Sequence, residues 1–266
     1  MSATLPPAIC ISLARRPDRW TSIKASADAA GLPLERLEAV DAKEFDAVRH
    51  PAVSVGTAHN IQEKLRRSHY EIDAAGAVGC SLSHFKAWQK LVDSGAPAMI
   101  IFEDDVEIPD DIRQRLSTVM STLPTQWDMV TFYMTQFRSG LSACKPIGDG
   151  SDWWSCRSQM GAHAYMLSRR GAEKLLARAY PIELHVDAYM AYMARLGEIT
   201  ILRHPLIDIE PSDFGTDIGH GSMSILNVPT KMEVRGFTVL NVREVVGLVM
   251  VSAIVGGIIG MAVGGK

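Results

Sequence analysis

The sequence predicts an α/β layer fold followed by one membrane-spanning helix. Three observations predict it. Short β-rich apolar runs alternate with amphipathic helical stretches over the first two hundred or so residues, the pattern of strands covered by helices. One of those runs, "AMIIF" (Ala98–Phe102), ends on the acidic triplet Glu103-Asp104-Asp105. Val245–Gly265 carries no charged residue, and roughly 21 apolar positions suffice to cross a bilayer core of about 30 Å.

The elements follow in order. "AICISL" (Ala8–Leu13) is a strand. "RPDRWTSIKASADAAG" is a helix: Pro17 suits its first turn, Asp18 suits its N-terminal dipole, and Trp20, Ile23 and Ala27 share an apolar face. Gly31 and Pro33 end it. "RLEAVDA" (Arg36–Ala42) reads as a second strand, and Lys43–Ala75 shows no clear period. "GCSLSHFKAWQKLVDSGAP" (Gly79–Pro97) is a helix with Leu82, Phe85, Trp88, Leu91 and Val92 at helical spacing. Strands follow at Ala98–Phe102 and Asp128–Met134. Ala162–Ala179 reads as strand, Ser168 cap and helix. His185–Gly197 is a helix with Asp187 in its first turn, and Ile199–Leu202 is the last strand. The division that results is an α/β domain at 1–224, a linker at 225–244 and a transmembrane helix at 245–265.

A chain of 266 residues with net charge −3 forms a sizeable core and does not suggest nucleic acid as a partner. The cysteines, Cys10, Cys80, Cys144 and Cys156, lack metal-ligand spacing. Four reduced thiols are expected, with a Cys144–Cys156 bridge across a loop as the alternative. No secretory signal is visible at the start, so the apolar segment reads as a tail anchor with the domain facing the cytoplasm. Ser252, Gly256, Gly260 and Gly264 share one face of that segment and suit homodimer contact.

Carboxylates at the end of a buried strand need a counter-ion or a metal. Strand alternation puts Glu103 and Asp105 on one side and Asp104 on the other, so the pair forms an oxygen site for Mn²⁺ or Mg²⁺. Arg15, Arg16 and Arg19 follow the first strand beside a helix start, a setting for a diphosphate.

Four segments in this order, "ISLARRPDRW", "GAVGCSLSHFKAW", "IIFEDDVEI" and "GAHAYMLSRRGAEKLL", resemble glycosyltransferase family 25 from about Ile9 to His220. The resemblance implies a Rossmann-like GT-A fold, a UDP-sugar donor and inverting transfer of a hexose, with galactose the expected sugar, to a glycan, glycolipid or protein acceptor. It implies donor contacts at Arg16, Asp18, Arg19, Ser83, His84 and Asp104. It implies metal ligands at Glu103 and Asp105, with His220 as a third, and a catalytic base at Asp187. A membrane-anchored module that binds without turnover is the rival reading. A nucleotidyltransferase is disfavoured, since no Gly-rich loop with a lysine follows the first strand.

Overall fold

The computed structural model describes residues 5–66, 68–133, 144–157, 161–212, 214–215, 217–219, 222–223, 231–234 and 237–240. The described elements are β1 (Ala8–Ser12), α1 (Pro17–Ala29), β2 (Leu34–Glu38), α2 (Val55–Glu63), β3 (Leu65–Arg66), α3 (Ala75–Ser94), β4 (Ala98–Glu103) and α4 (Ile112–Ser121). They continue with β5 (Met129–Thr131), β6 (Cys144–Pro146), β7 (Trp154–Cys156), β8 (Ala164–Ser168), α5 (Arg169–Leu176), α6 (Val186–Arg195) and β9 (Ile201–Arg203). Last come three short strands, β10 (Ser222–Met223), β11 (Lys231–Val234) and β12 (Phe237–Leu240).

Eight strands form the central sheet in the order β2-β1-β4-β8-β5-β9-β7-β6. The first three are parallel, as the alternation of strands and helices predicts. Strand β8 then enters antiparallel between β4 and β5, so the sheet is mixed. A run as short and apolar as "AYMLS" carries no sign of its direction, which is why the sequence reading missed this.

The sheet is covered on both faces. Along β1 and β4, Ile9, Ile11, Met99 and Ile101 belong to one core, with Phe85, Trp88 and Leu91 of α3 and Leu175 of α5. The alternate residues Ala8, Cys10, Ala98, Ile100 and Phe102 belong to the other, with Ile23 and Ala27 of α1 and Leu116 and Val119 of α4. Strand alternation thus writes a three-layer α/β/α sandwich.

Several local expectations hold. Pro17 opens α1, Gly31 follows it at φ +63°, and the Ser168 hydroxyl accepts the Gly171 N–H at 3.0 Å to cap α5. Others move. Strand β2 begins two residues earlier than predicted, and α3 begins four residues earlier, at Ala75. The stretch without periodicity holds α2, capped where the Ser54 hydroxyl accepts the Thr57 N–H.

Cys144 and Cys156 form a disulfide, against the expectation of four free thiols. They face each other directly in the β6–β7 ladder, with Cα atoms 4.0 Å apart, within bridging reach. Cys10 and Cys80 are free. Among the described residues no helix is long and apolar enough to cross a membrane. The predicted span, 245–265, and its small-residue face lie outside the described residues, and β11 and β12 pair antiparallel within the predicted linker.

Asp128 ties the sheet to α5. Its carboxylate is 1% exposed and accepts from Arg170 Nε, Lys174 Nζ and the Thr200 N–H, each at 2.8 Å. Burial would raise its pKa, but the Lys174, Thr200 and Arg170 bonds outweigh it and hold the carboxyl below its usual value. A lowered folded pKa stabilises the fold fully above the unfolded value, about 4, and that stability is lost as pH falls through the folded value. Asp128→Asn should cost about 1–2 kcal/mol at pH 7, at the low end for charge-assisted bonds because both cations are half exposed. Urea titrations at pH 7 and pH 3 should show the difference from wild type shrinking at the lower pH.

Candidate active site

The site lies where β1 and β4 end, the edge of an α/β sheet at which ligands usually bind. A cavity of about 350 Å³ opens there, walled by Arg15 and Arg19, by Asp41 after β2, by Gly76, Cys80, Ser83 and His84 of α3, by Glu103–Asp105, and by Asp217. A second cavity of about 310 Å³ adjoins it, lined by Arg66, His69, Gly161, His163, His185 and Asp187. Cys80, Glu103 and Ile218 line both.

The acidic triplet does not alternate as predicted. Strand β4 ends at Glu103, and Asp104 and Asp105 lie in the turn beyond it, so all three line the first cavity. Arg19, 5% exposed on the inner face of α1, is their counter-ion: its Nη1 lies 3.2 Å from Asp104 Oδ1 and 3.9 Å from Asp105 Oδ2. The two remaining oxygens, Asp104 Oδ2 and Asp105 Oδ1, are buried with no hydrogen-bond partner among the described residues. Burial, then the nearby Glu103 charge, pushes Asp105 up to about 7 despite Arg19. Two such orphaned carboxylate oxygens fit a hard divalent cation.

Glu103 is turned elsewhere. Its Oε1 lies 2.9 Å from His84 Nε2, and His84 Nδ1 lies 2.8 Å from the Tyr165 hydroxyl, which also receives the Trp88 indole N–H at 2.8 Å. Trp88 can only donate. The Tyr165 hydroxyl therefore accepts from Trp88 and donates to Nδ1, leaving His84 Nε2–H to donate to Glu103, a tautomer assigned from the network. Burial raises the Glu103 pKa, but the His84 bond and weaker attraction from His163 and Arg19 bring the net shift below the usual value.

Ser83 lines the first cavity with its hydroxyl engaged by backbone. Its hydroxyl accepts the Val40 N–H at 2.8 Å and donates to the Gly79 carbonyl at 2.7 Å. A Cβ on Gly79 would stand 2.7 Å from Val40 O, and one on Gly76 would stand 2.3 Å from Ile218 O. Both glycines let backbone segments close on α3.

Three arginines converge on Asp217. Arg15 Nη1 lies 2.8 Å from it and Arg19 Nη2 3.2 Å, and Arg16 Nη1 makes a third, shorter contact. Arg16 is also paired with the exposed Asp18 at 2.8 Å, and Arg15 with Asp41 at 2.7 Å. Burial raises the Asp217 pKa, and the Arg15 and Arg16 bonds more than reverse it. Arg19 Nη2 also donates to Gly215 O at 2.6 Å.

Asp187 lines the second cavity, which it shares with Glu103 but not with Asp104 or Asp105. Its Oδ2 accepts the Gly161 N–H and its Oδ1 the Ala188 N–H, both at 2.7 Å, which fixes its orientation while leaving lone pairs free. His220 lies outside the described residues, and no described group of three potential ligands includes Asp105. The sequence reading gave no role to Cys80, Asp41, Asp217 or His163. For Cys80 a signal existed: it stands four residues before His84 on one helix.

The model of glycosyltransferase family 25 (LPS biosynthesis protein) matches residues 6–190. The chain belongs to that family. A rat relative named "Probable inactive glycosyltransferase 25 family member 3" is 30% identical over 197 residues, covering 69% of this chain and 32% of that one. Zebrafish "Procollagen galactosyltransferase 1" is 26% identical over 196 residues, covering 69% and 30%. The chain thus spans about a third of the length of the curated relatives it matches. The crystal structure of a glycosyltransferase involved in glycosylation of the major capsid of PBCV-1 aligns with a TM-score of 0.30 at 9% identity, over 65% of this chain and 63% of that one.

Removing Arg19 leaves Asp104 buried and unpaired. Arg19→Ala should cost about 3–5 kcal/mol, the usual range for breaking a buried pair. Adding Asp104→Asn should restore part of that loss. A double-mutant cycle by chemical denaturation measures the coupling.

Proposed function

We propose that this family 25 chain transfers a hexose, galactose first among the candidates, from a UDP-sugar to a hydroxyl of a glycan, glycolipid or protein acceptor, with inversion. The observation that carries the reading is the pairing of an anion site with a cation site. Arg15, Arg16 and Arg19 already converge on one carboxylate of the cavity lining, and Asp104 and Asp105, each with one buried oxygen that has no partner among the described residues, line the same cavity. A nucleotide diphosphate with its metal needs both. The GT-A description of the mixed sheet belongs to this proposal, as does galactose, which the zebrafish relative's name supports.

In this reading Asp105 and Asp104 hold Mn²⁺ or Mg²⁺, which when bound neutralises charge on the departing diphosphate. The arginines take the diphosphate oxygens in place of Asp217. Glu103, held by His84, stands at the partition between the cavities, where the sugar would lie. The acceptor enters the second cavity. Asp187 takes the proton from its hydroxyl as the oxygen forms a bond to the anomeric carbon and the bond to the diphosphate breaks. The Gly161 and Ala188 N–H groups aim that carboxylate. A membrane-borne acceptor would suit the 245–265 segment. The Cys144–Cys156 bridge is stable on the oxidising side of a membrane, and a cytosol-facing domain would carry it as a dithiol.

The second reading, binding without turnover, is favoured by the names of the rat relative and its mouse and human counterparts. UDP release from a panel of UDP-sugars by the full chain, with Mn²⁺ or with chelator, separates the two. Metal-dependent release from one sugar, abolished by Asp105→Ala, is the expected outcome. Metal-dependent UDP binding with no release from any donor would favour the module.

Two substitutions sharpen this. Asp187→Asn should lower kcat by about 10²–10⁴-fold, the usual weight of a general base, with UDP affinity unchanged in a calorimetric titration. Asp217→Asn should tighten UDP binding several-fold, because the competing carboxylate is weakened while the arginines remain.

A further inference from the structure

Cys80 and His84 are four residues apart on α3, so their side chains share one helix face. Glu103 meets them from the end of β4. The Cys80 sulfur, a His84 ring nitrogen and a Glu103 oxygen all lie within 4.8 Å of one another. This group is chemically unlike the Asp104–Asp105 pair. A thiolate and an imidazole select borderline and soft cations, whereas an all-oxygen pair selects Mg²⁺ or Mn²⁺.

The geometry points to a second metal site, in which Cys80 Sγ, His84 Nε2 and a Glu103 oxygen bind one thiophilic divalent cation of the Zn²⁺ class. Three protein ligands with one open position is a familiar zinc arrangement, and metal–ligand distances of about 2.0–2.3 Å span such a triangle after small side-chain rotations. Cys80 and Glu103 line both cavities, which gives an ion a path in. The outer shell is in place as well. When Nε2 binds metal, the His84 proton is carried on Nδ1, the Tyr165 O–H rotates away from the ring, and Nδ1–H donates to the Tyr165 oxygen 2.8 Å away. The thiol loses its proton to solvent as the sulfur–metal bond forms, so binding releases one proton. An ion there stands in the partition between the donor and acceptor cavities. Zn²⁺ should therefore inhibit transfer even when Mn²⁺ is saturating. That consequence rests on the transferase reading; the binding itself does not.

The test uses the full chain stripped of metal and titrated with Co²⁺, whose absorption reports thiolate ligation. One equivalent of Co²⁺ should give a sulfur-to-metal charge-transfer band, and Zn²⁺ should bleach it. The band should vanish in Cys80→Ser and persist in Cys10→Ser and Asp105→Asn. His84→Gln should weaken Co²⁺ binding at least tenfold. No band in the wild-type protein, or a band that survives in Cys80→Ser, overturns the site. Should Cys80→Ser fail to fold, alkylation of Cys80 in the wild-type protein decides the question by mass spectrometry: protection by Zn²⁺ supports the site, and equal labelling with and without Zn²⁺ overturns it. None of these readouts requires turnover, so an inactive protein with a cobalt band would sink the transferase reading and leave the site standing.

Discussion

The guanidinium of Arg19 is the contact on which the site is assembled. Buried carboxylates at the end of a central strand are costly unless a cation is fixed beside them. Arg19 reaches Asp104, Asp105, Asp217 and the Gly215 carbonyl from one position on the buried face of α1. It joins α1, the β4 turn and the segment around Asp217, three parts of the chain far apart in sequence. Its place follows from helix spacing, since Arg19, Ile23 and Ala27 fall four apart on the face that α1 buries. The charge thus sits one turn above an apolar stripe that anchors it.

Helix α3 organises the other wall. Its residues carry separate tasks on adjoining faces. Gly76 and Gly79 admit the backbone at Ile218 and Val40, and Ser83 fastens the Val40 N–H. His84 passes the polarity of a buried Trp88–Tyr165 pair to Glu103. A motif that looks like a single signature is therefore a seam between backbone packing and site electrostatics. Any substitution in it mixes the two effects.

Much of this was legible before the fold was known. The strong helical period of α3, the apolar run of β4 and the cap at Ser168 encode their structure locally, and all three are present, with α3 beginning four residues early. Arg19, Glu103 and Asp187 stood out by residue type and position. Other features depend on partners remote in sequence. The antiparallel entry of β8 is decided by its neighbours β4 and β5. The pairing of Cys144 with Cys156 depends on the β6–β7 register, which three-residue strands do not announce. Ser83 read as a donor contact, but a hydroxyl's partner is set by the backbone packed against it. Asp104 and Asp105 departed from alternation because the strand stops at Glu103, and a period of two holds only while the chain stays extended.

The position of Asp217 has a consequence for selectivity. A carboxylate tethered beside three guanidiniums is present at an effective concentration that no free monoanion in solution approaches; for short tethers this is in the millimolar range or above. Chloride or acetate would exchange one charge for one and gain little. A ligand bearing several negative charges and several acceptor oxygens can satisfy all three arginines at once and so outcompete it. The protein's own side chain would thereby set a threshold of charge and denticity for any anion that displaces it from the arginines.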